Sequence, residues 1–484
     1  MAHPVKDAVI GAPGDTTAAL LEDERGRAFL SGSSLPRLVS WRSAVVVSFG
    51  GAVLIAVSMG PMAAEIGSLS ILVWIGAAMI GAAQSALLAE LASRFHERAG
   101  GTAQFGYRAR PSGSPILGAL SSWAYWFAWT PGIAVNLILA GTYLNAVLLP
   151  GVDPLALAAV IGALLYLVNL RGVRLSMRVG AVLAVLASVP LIVIVLAPIL
   201  APGSFDLGRI FPLELAPGTE AGALGTAALI AKWMFVAAWS AYGAEMASTL
   251  CAEVRDCGCH MPRTMGIAAG IFLVAFGLVP IGMIGLLGVE QLQSDSLVAF
   301  ASAAELIFGD AGETIIGVLL AAALVLGAQA FILGSSRTIY GLAKDGHVPA
   351  FFGRVNRRGV PIGSLVWDAA IIATILAVFE TNIIDAVAAA NVGYLIVFII
   401  MPLAYLVLRK REDGDPTGLR LPGAFRLVAI GLVVFNAVIL VVGGAQWGLE
   451  VMLVGVGICA LIVPLSLVSR RAHAGGAPDQ ASGP

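Results

Sequence analysis

Two seven-residue stretches decide how this chain is read: Ala56-Val57-Ser58-Met59-Gly60-Pro61-Met62 and Trp239-Ser240-Ala241-Tyr242-Gly243-Ala244-Glu245. Each lies in the middle of an apolar run and places small or helix-breaking residues where an unbroken helix would carry strong helix formers. The runs around them are about 20 residues long, the length needed to cross roughly 30 Å of hydrocarbon. The 484-residue chain is 59% hydrophobic and 12% charged, whereas soluble domains carry about 25% charged residues. That bias excludes a soluble enzyme, a nucleic-acid binder and a disulfide scaffold. Cys251, Cys257, Cys259 and Cys459 are too few and too clustered for an extracellular framework. A net charge of −1 selects neither an acidic nor a basic partner. Residues 1–40 hold no apolar core, so no signal peptide is expected.

Twelve candidate helices follow, near 43–66, 68–92, 116–148, 154–170, 176–200, 223–251, 264–289, 311–343, 361–379, 383–408, 424–445 and 448–469. The expected class is an all-α polytopic membrane protein with lipid around it. Twelve is even, so both tails lie on one side. Every Lys and Arg except Arg209 and Lys232 falls in the N-terminal tail, the even-numbered loops or the C-terminal tail. The excess of positive charge in cytoplasmic loops therefore predicts cytoplasmic termini. Residues 1–40 and 471–484 read as disordered tails. Residues 41–200 and 223–408 each supply five helices, and 422–470 supply two more. Because five is odd, the second set enters from the opposite side, which would make the two sets inverted copies as in many secondary transporters.

Gly60-Pro61 has two readings. Proline suits the first turn of a helix, and a half-helix starting there would turn free amides and a partial positive charge inward, a seat for a carboxylate. The alternative is a plain proline kink. Glu245 likewise reads as an ion-pathway or proton-relay carboxylate, or as a protonated Glu that caps unwound carbonyls.

Three separate stretches carry a resemblance. They are Ala89-Glu90-Leu91-Ala92-Ser93-Arg94-Phe95 with Arg98-Ala99-Gly100-Gly101-Thr102, then Trp239 to Glu245 with Ala252-Glu253-Val254, and Ser336 through Tyr340-Gly341 to Pro349. In this order and spacing they resemble the amino acid–polyamine–organocation superfamily of permeases, over nearly all of 41–470. The resemblance implies twelve transmembrane helices in a leucine-transporter-type 5+5 inverted repeat plus two C-terminal helices. It implies alternating access around a midplane site in a cytoplasmic membrane, with an amino acid as substrate and protons as a candidate partner. Carried over, the amides of Ser58, Met59 and Gly60 would hold a carboxylate, and the carbonyls of Ala56, Trp239 and Tyr242 an α-ammonium. Trp239 would be a lid and Phe331 a further pocket aromatic, with ordinary helix packing the alternative for both. The family's Gly-Ser-Gly is here Ser58-Met59-Gly60. The helix-five lysine of some proton-coupled members has no counterpart in 176–200, which leaves Glu245 to carry protons. A sodium site would fall on Ser335 and Ser336, which otherwise read as packing residues.

The remaining signals are weaker. Cys251, Cys257, Cys259 and His260 match no usual zinc spacing, so free thiols are expected and neither metal nor cofactor is implied. Asp368 is expected to reach headgroups or a partner on a neighbouring helix, with a coupling role as the alternative, and Glu65 to line an entrance or sit solvated. Asn136 is expected to hydrogen-bond across helices. With no ATP-binding domain, the drive would be proton-coupled symport or exchange. The alternatives are a polyamine or other organic amine carrier, in which Glu245 pairs with the cation, and a non-transporting amino acid sensor. An integral membrane enzyme would need a cluster of His, Asp or Cys on a membrane face, which the sequence lacks.

Overall fold

A computed structural model describes residues 35–95, 101, 104–109, 115–294, 298–378, 383–411, 415 and 417–475. The tail segments 1–34 and 476–484, and Arg98, Ala99, Gly100 and Thr102 of the first resemblance stretch, lie outside the described residues. Helix α1 (Trp41–Ala52) starts at Ser40, whose Oγ accepts from the Ser43 amide at 3.2 Å, a side-chain cap for one of the free amides of the first turn. Helix α2 (Ile55–Ile66) resumes after Val53-Leu54 and stops at Gly67, φ +61. A Cβ there would stand 2.7 Å from the Ala216 amide nitrogen, so only glycine fits this turn. Then come α3 (Ser70–Arg94), α4 (Gln104–Ala109), α5 (Pro115–Val147), α6 (Pro154–Leu170) and α7 (Val173–Val195). Asp153 caps α6 through the Leu155 amide, with Pro154 in its first turn.

The second half repeats the interruption. Helix α8 (Ala223–Ala241) ends at Tyr242 and passes into a 3-10 helix, Gly243–Leu250. Helices α9 (Cys257–Ser294), α10 (Ala299–Phe308), α11 (Asp310–Lys344), α12 (Ile362–Val378), α13 (Ile383–Arg411), α14 (Phe425–Val438), α15 (Leu449–Ala460) and α16 (Ile462–Gly475) complete the chain. Among the described residues the only non-helical pairing is an isolated bridge, Val39 to Val254. Among the described residues, nine helical stretches are long and apolar enough to cross a membrane, the first being the 54-residue segment Trp41–Arg94; α6, α10 and α12 are shorter apolar helices. The protein is thus an all-helical polytopic membrane protein.

Helix α5 is buried along most of its length and packs along α11 at the centre. On the periphery α7, α14, α15 and α16 expose Val185, Leu427, Val434, Leu453 and Val468, an apolar surface suited to lipid. Buried amides join helices in the interior. Gln84 donates to Asn436 at 3.4 Å, Asn436 to the Phe398 carbonyl at 3.1 Å, and Asn169 to Gln329 at 2.8 Å; these bonds satisfy polar groups where water is absent.

Three expectations are corrected. The break in the first span lies at Val53-Leu54, not at Gly60-Pro61, and Ser58, Met59 and Gly60 sit inside α2. Pro61 is the seventh residue of α2, where its missing N–H costs one bond that the surrounding helices tolerate. The turn is made instead by tight bonds from Leu54 N to Gly51 O (3.2 Å) and Ala56 N to Val53 O (3.0 Å). Second, residues 35–40 are not a loose tail. Val39 N donates to Glu253 O at 2.8 Å, Arg255 N donates to Val39 O at 3.0 Å, and Leu35 and Val39 are fully buried. Third, α16 extends through 471–475, the start of the expected C-terminal tail.

Candidate functional site

The two interruptions meet. A Cβ added at Gly51, at the end of α1, would stand 3.4 Å from Gly243 Cα and 3.1 Å from Phe272 Cζ. Backbone therefore touches backbone where α1 ends and α8 gives way to the 3-10 helix. Ser48 stitches the two together: its Oγ donates to Ala244 O at 2.7 Å and accepts from Ala247 N at 3.3 Å. Helix ends leave backbone groups without intrahelical partners. At this junction the Leu54, Ala56 and Val57 amides donate to the Gly51, Val53 and Leu54 carbonyls at 3.0–3.2 Å, and the Tyr242 amide to Ala238 O at 3.1 Å. The opening turn of α2 also carries the positive end of its helix dipole.

Rings surround this junction. Trp129 of α5 packs against Phe331 of α11 and Tyr394 of α13, each with centroids 4.7 Å apart, and against Trp239 at 6.0 Å. Trp239 and Phe331 stand edge-on at 6.2 Å, a geometry that favours ring pairs. Trp239 Nε1 donates to Ala128 O at 2.8 Å. A Cβ on Gly132 would stand only 2.8 Å from Trp239 and 2.9 Å from Phe331, so the rings close on bare backbone.

Glu245, fully buried, points into this group. Its Oε1 accepts from Tyr125 at 3.0 Å and Tyr394 at 2.9 Å, while Oε2 has no partner among the described residues. The Tyr242 hydroxyl turns away and donates to Asn436 at 3.2 Å. Asn136 bonds within its own helix, to Gly132 O at 2.7 Å, which corrects the cross-helix expectation. Its Oδ1 is unpartnered and lies beside Gly327 of α11.

Of the residues singled out in the sequence, Trp239, Phe331, Tyr242 and Glu245 come together around the second interruption. Ala56 lies in the first turn of α2, whereas Ser58, Met59 and Gly60 are buried further along it. Tyr125, Trp129 and Tyr394 were missed. The signal for two of them was the run Trp123-Ala124-Tyr125-Trp126-Phe127-Ala128-Trp129, which holds three of the chain's nine tryptophans. Ser335 Oγ turns to Asp368 and Ser336 Oγ to Ile332 O, both at 2.6 Å.

Polar clasps lie at either end of the bundle. On the face carrying Val39, Arg337 grips Glu253 with Nε to Oε2 at 2.8 Å and Nη2 to Oε1 at 3.1 Å, both side chains buried. Nearby Arg409 and Tyr405 share Glu90, at 3.2 and 3.0 Å. On the opposite face Lys232 sits 2.7 Å from both oxygens of Glu65, Trp233 Nε1 donates to Glu65 at 2.8 Å, and Lys232 lies over the Trp447 ring. Cys251 and Cys257 are joined as a disulfide with Cα atoms 5.5 Å apart, because the turn between them brings both within bridging reach. This corrects the expectation of free thiols for that pair. Cys259 is free and exposed, and no group of three or more His, Cys, Asp or Glu arranged for a metal occurs among the described residues.

A sequence profile described as amino acid permease matches residues 39–464. The chain belongs to the amino acid permease family. An uncharacterized transporter of Mycobacterium tuberculosis is 28% identical over 427 residues, 86% of this chain and 92% of its own length. An uncharacterized amino acid permease of Bacillus subtilis is 25% identical over 312 residues, 61% and 67% of the two chains. A general amino acid permease of Saccharomyces cerevisiae is 34% identical over 144 residues, 27% and 23%. The protein is thus a transporter of the amino acid–polyamine–organocation superfamily. The matched region starts at Val39, the residue bridged to Val254.

Proposed function

We propose that the chain is a secondary active amino acid transporter working by alternating access. The observation that carries this reading is the meeting of two interrupted helices, Gly51 against Gly243, beside a closed set of rings and a carboxyl with one open oxygen. The substrate carboxylate docks at the start of α2, around Ile55 and Ala56, where the positive end of the helix dipole favours an anion. Its ammonium docks on the carbonyls that end α8 and on Glu245. Trp239, Phe331 and Trp129 close over it and must part for entry or exit.

The same reading counts Trp41–Arg94 as two crossings and adds α6 and α12, giving twelve spans in two inverted five-helix sets plus two. Both termini are cytoplasmic, in the plasma membrane, because the basic residues crowd the Val39 face. An ion gradient, with protons foremost, or exchange supplies the drive, and Glu245 is the carboxyl at the substrate.

The open Glu245 oxygen also favours a second reading, an organic amine carrier in which that carboxylate pairs with the cation. Counterflow in proteoliposomes separates the two. Labelled amino acids are offered against each one's decarboxylated amine. Amino acids are expected to exchange and amines to compete poorly; the reverse order establishes the amine carrier. No flux with either class overturns transport.

A further inference from the structure

A second carboxyl is buried in the spans. Asp368 of α12 is fully buried; Trp126 Nε1 donates to its Oδ1 at 2.7 Å and Ser335 Oγ to its Oδ2 at 2.6 Å. Both donors are neutral, and a carboxylate taken out of water without a cationic partner is unfavourable. The groups facing it are few. Helix α5 presents Trp126 and α11 presents Ser335. Helix α6 packs against α12 and carries Tyr166, whose buried hydroxyl has no partner among the described residues. The short 3-10 turn Ala350–Gly353 carries no titratable side chain. Arg337, two residues beyond Ser335, turns to Glu253 instead.

The placement connects this carboxyl to the site already described. Adjacent residues of α5 hold the two acids, Tyr125 on Glu245 and Trp126 on Asp368. Along α11, Ser335 lies one turn past Phe331, and its neighbour Ser336 accepts from Arg337 Nη1 at 3.1 Å. Asp368 thus stands between the ring-lined junction and the Arg337–Glu253 clasp. We propose that Asp368 is a proton-binding site that loads and unloads once per transport cycle, in register with Glu245 through Tyr125-Trp126. The step is a simple protonation: the carboxylate takes H⁺ from water on one open face and returns it on the other. The protonated acid donates where the carboxylate accepted, so the Ser335 hydroxyl must reorient, and the charge-assisted bond between α11 and α12 becomes a weaker neutral one. A charged or a neutral Asp368 thereby selects which arrangement of α5, α11 and α12 is held.

This inference rests on the transport reading, and its test keeps the two apart. Full-length protein is reconstituted in sodium-free vesicles with a mixture of labelled amino acids as the probe. Wild type is expected to show counterflow at equal pH and accumulation under an imposed pH gradient. Asp368→Asn is expected to keep counterflow and lose gradient-driven accumulation. Infrared titration of the protein without substrate is expected to show a protonated-carboxyl band that changes with pH, is missing in Asp368→Asn and persists in Glu245→Gln. If Asp368→Asn does not fold, Ser335→Ala, which removes one donor and leaves the acid, is expected to displace the midpoint of that band. Accumulation by Asp368→Asn equal to wild type, an unchanged band or midpoint, or a requirement for sodium overturns the proposal. Absence of wild-type counterflow overturns the transport reading, and the infrared result still decides whether Asp368 takes up a proton.

Discussion

At the residue scale, two glycines and one acid carry the argument. Gly51 and Gly243 permit the backbones to touch, and a side chain at Gly51 has Phe272 and Gly243 as its nearest neighbours. Gly51→Val is therefore expected to cost about 1–3 kcal/mol by overpacking and to abolish counterflow. Gly51→Ala should be milder on both counts; thermal unfolding in detergent and vesicle flux measure them. Glu245→Gln keeps an oxygen for Tyr125 and Tyr394 but carries no charge. It is expected to spare exchange while losing gradient-driven uptake, and concentrative uptake by this variant would make the acid structural. Glu245 was legible because a carboxyl inside an apolar run has few bland explanations. Trp129 and Tyr394 were not, because an aromatic in an apolar helix is ordinary packing until its neighbours are known. Gly60-Pro61 misled for a similar reason. A glycine and a proline look like a stop, yet the chain breaks where Gly51 must meet another helix, and that demand is invisible in one segment.

At the element scale, the two interrupted helices are held by clasps of different strength. Arg337 and Glu253 are both buried and doubly bonded. Removing one partner strands a charge, so Arg337→Ala is expected to destabilise by about 3–5 kcal/mol, whereas pairing Arg337→Met with Glu253→Leu should recover most of the loss. Melting curves of the single and double variants test this, and equal curves would show that the pair contributes nothing. Lys232 and Glu65 keep 20% and 31% of their side chains exposed. Lys232→Ala should therefore cost no more than about 1 kcal/mol, and any larger change in flux would be a gating effect. The positions of the long helices were readable because the bilayer fixes the length of an apolar run: α5, expected at 116–148, is Pro115–Val147. Helices α4 and α10 escaped because six and ten residues are too short to leave a periodic signal.

At the scale of the whole molecule, charge has a side. On the Val39 face Arg337 pairs with Glu253, and Arg409 and Arg94 with Glu90, while Lys232 pairs with Glu65 at the other end. A fluorescent reporter fused after residue 475 should fold and shine in the cytoplasm, and a periplasm-dependent phosphatase inserted at Pro202-Gly203 should be active. The opposite pattern would invert the orientation argued from positive charge. The apolar fraction and the distribution of lysine and arginine made the class of molecule plain from sequence. Residues 35–39 were harder to read, since a short polar-flanked stretch acquires its meaning only from the surface it lands on.

That landing has a mechanical corollary. Through Val39 and Val254 the leading strand of the chain is pinned to the joint that follows the 3-10 helix. Tension or bulk applied upstream of Leu35 is therefore expected to pull on that joint, and a tag fused on this side to slow vesicle flux more than the same tag fused after residue 475.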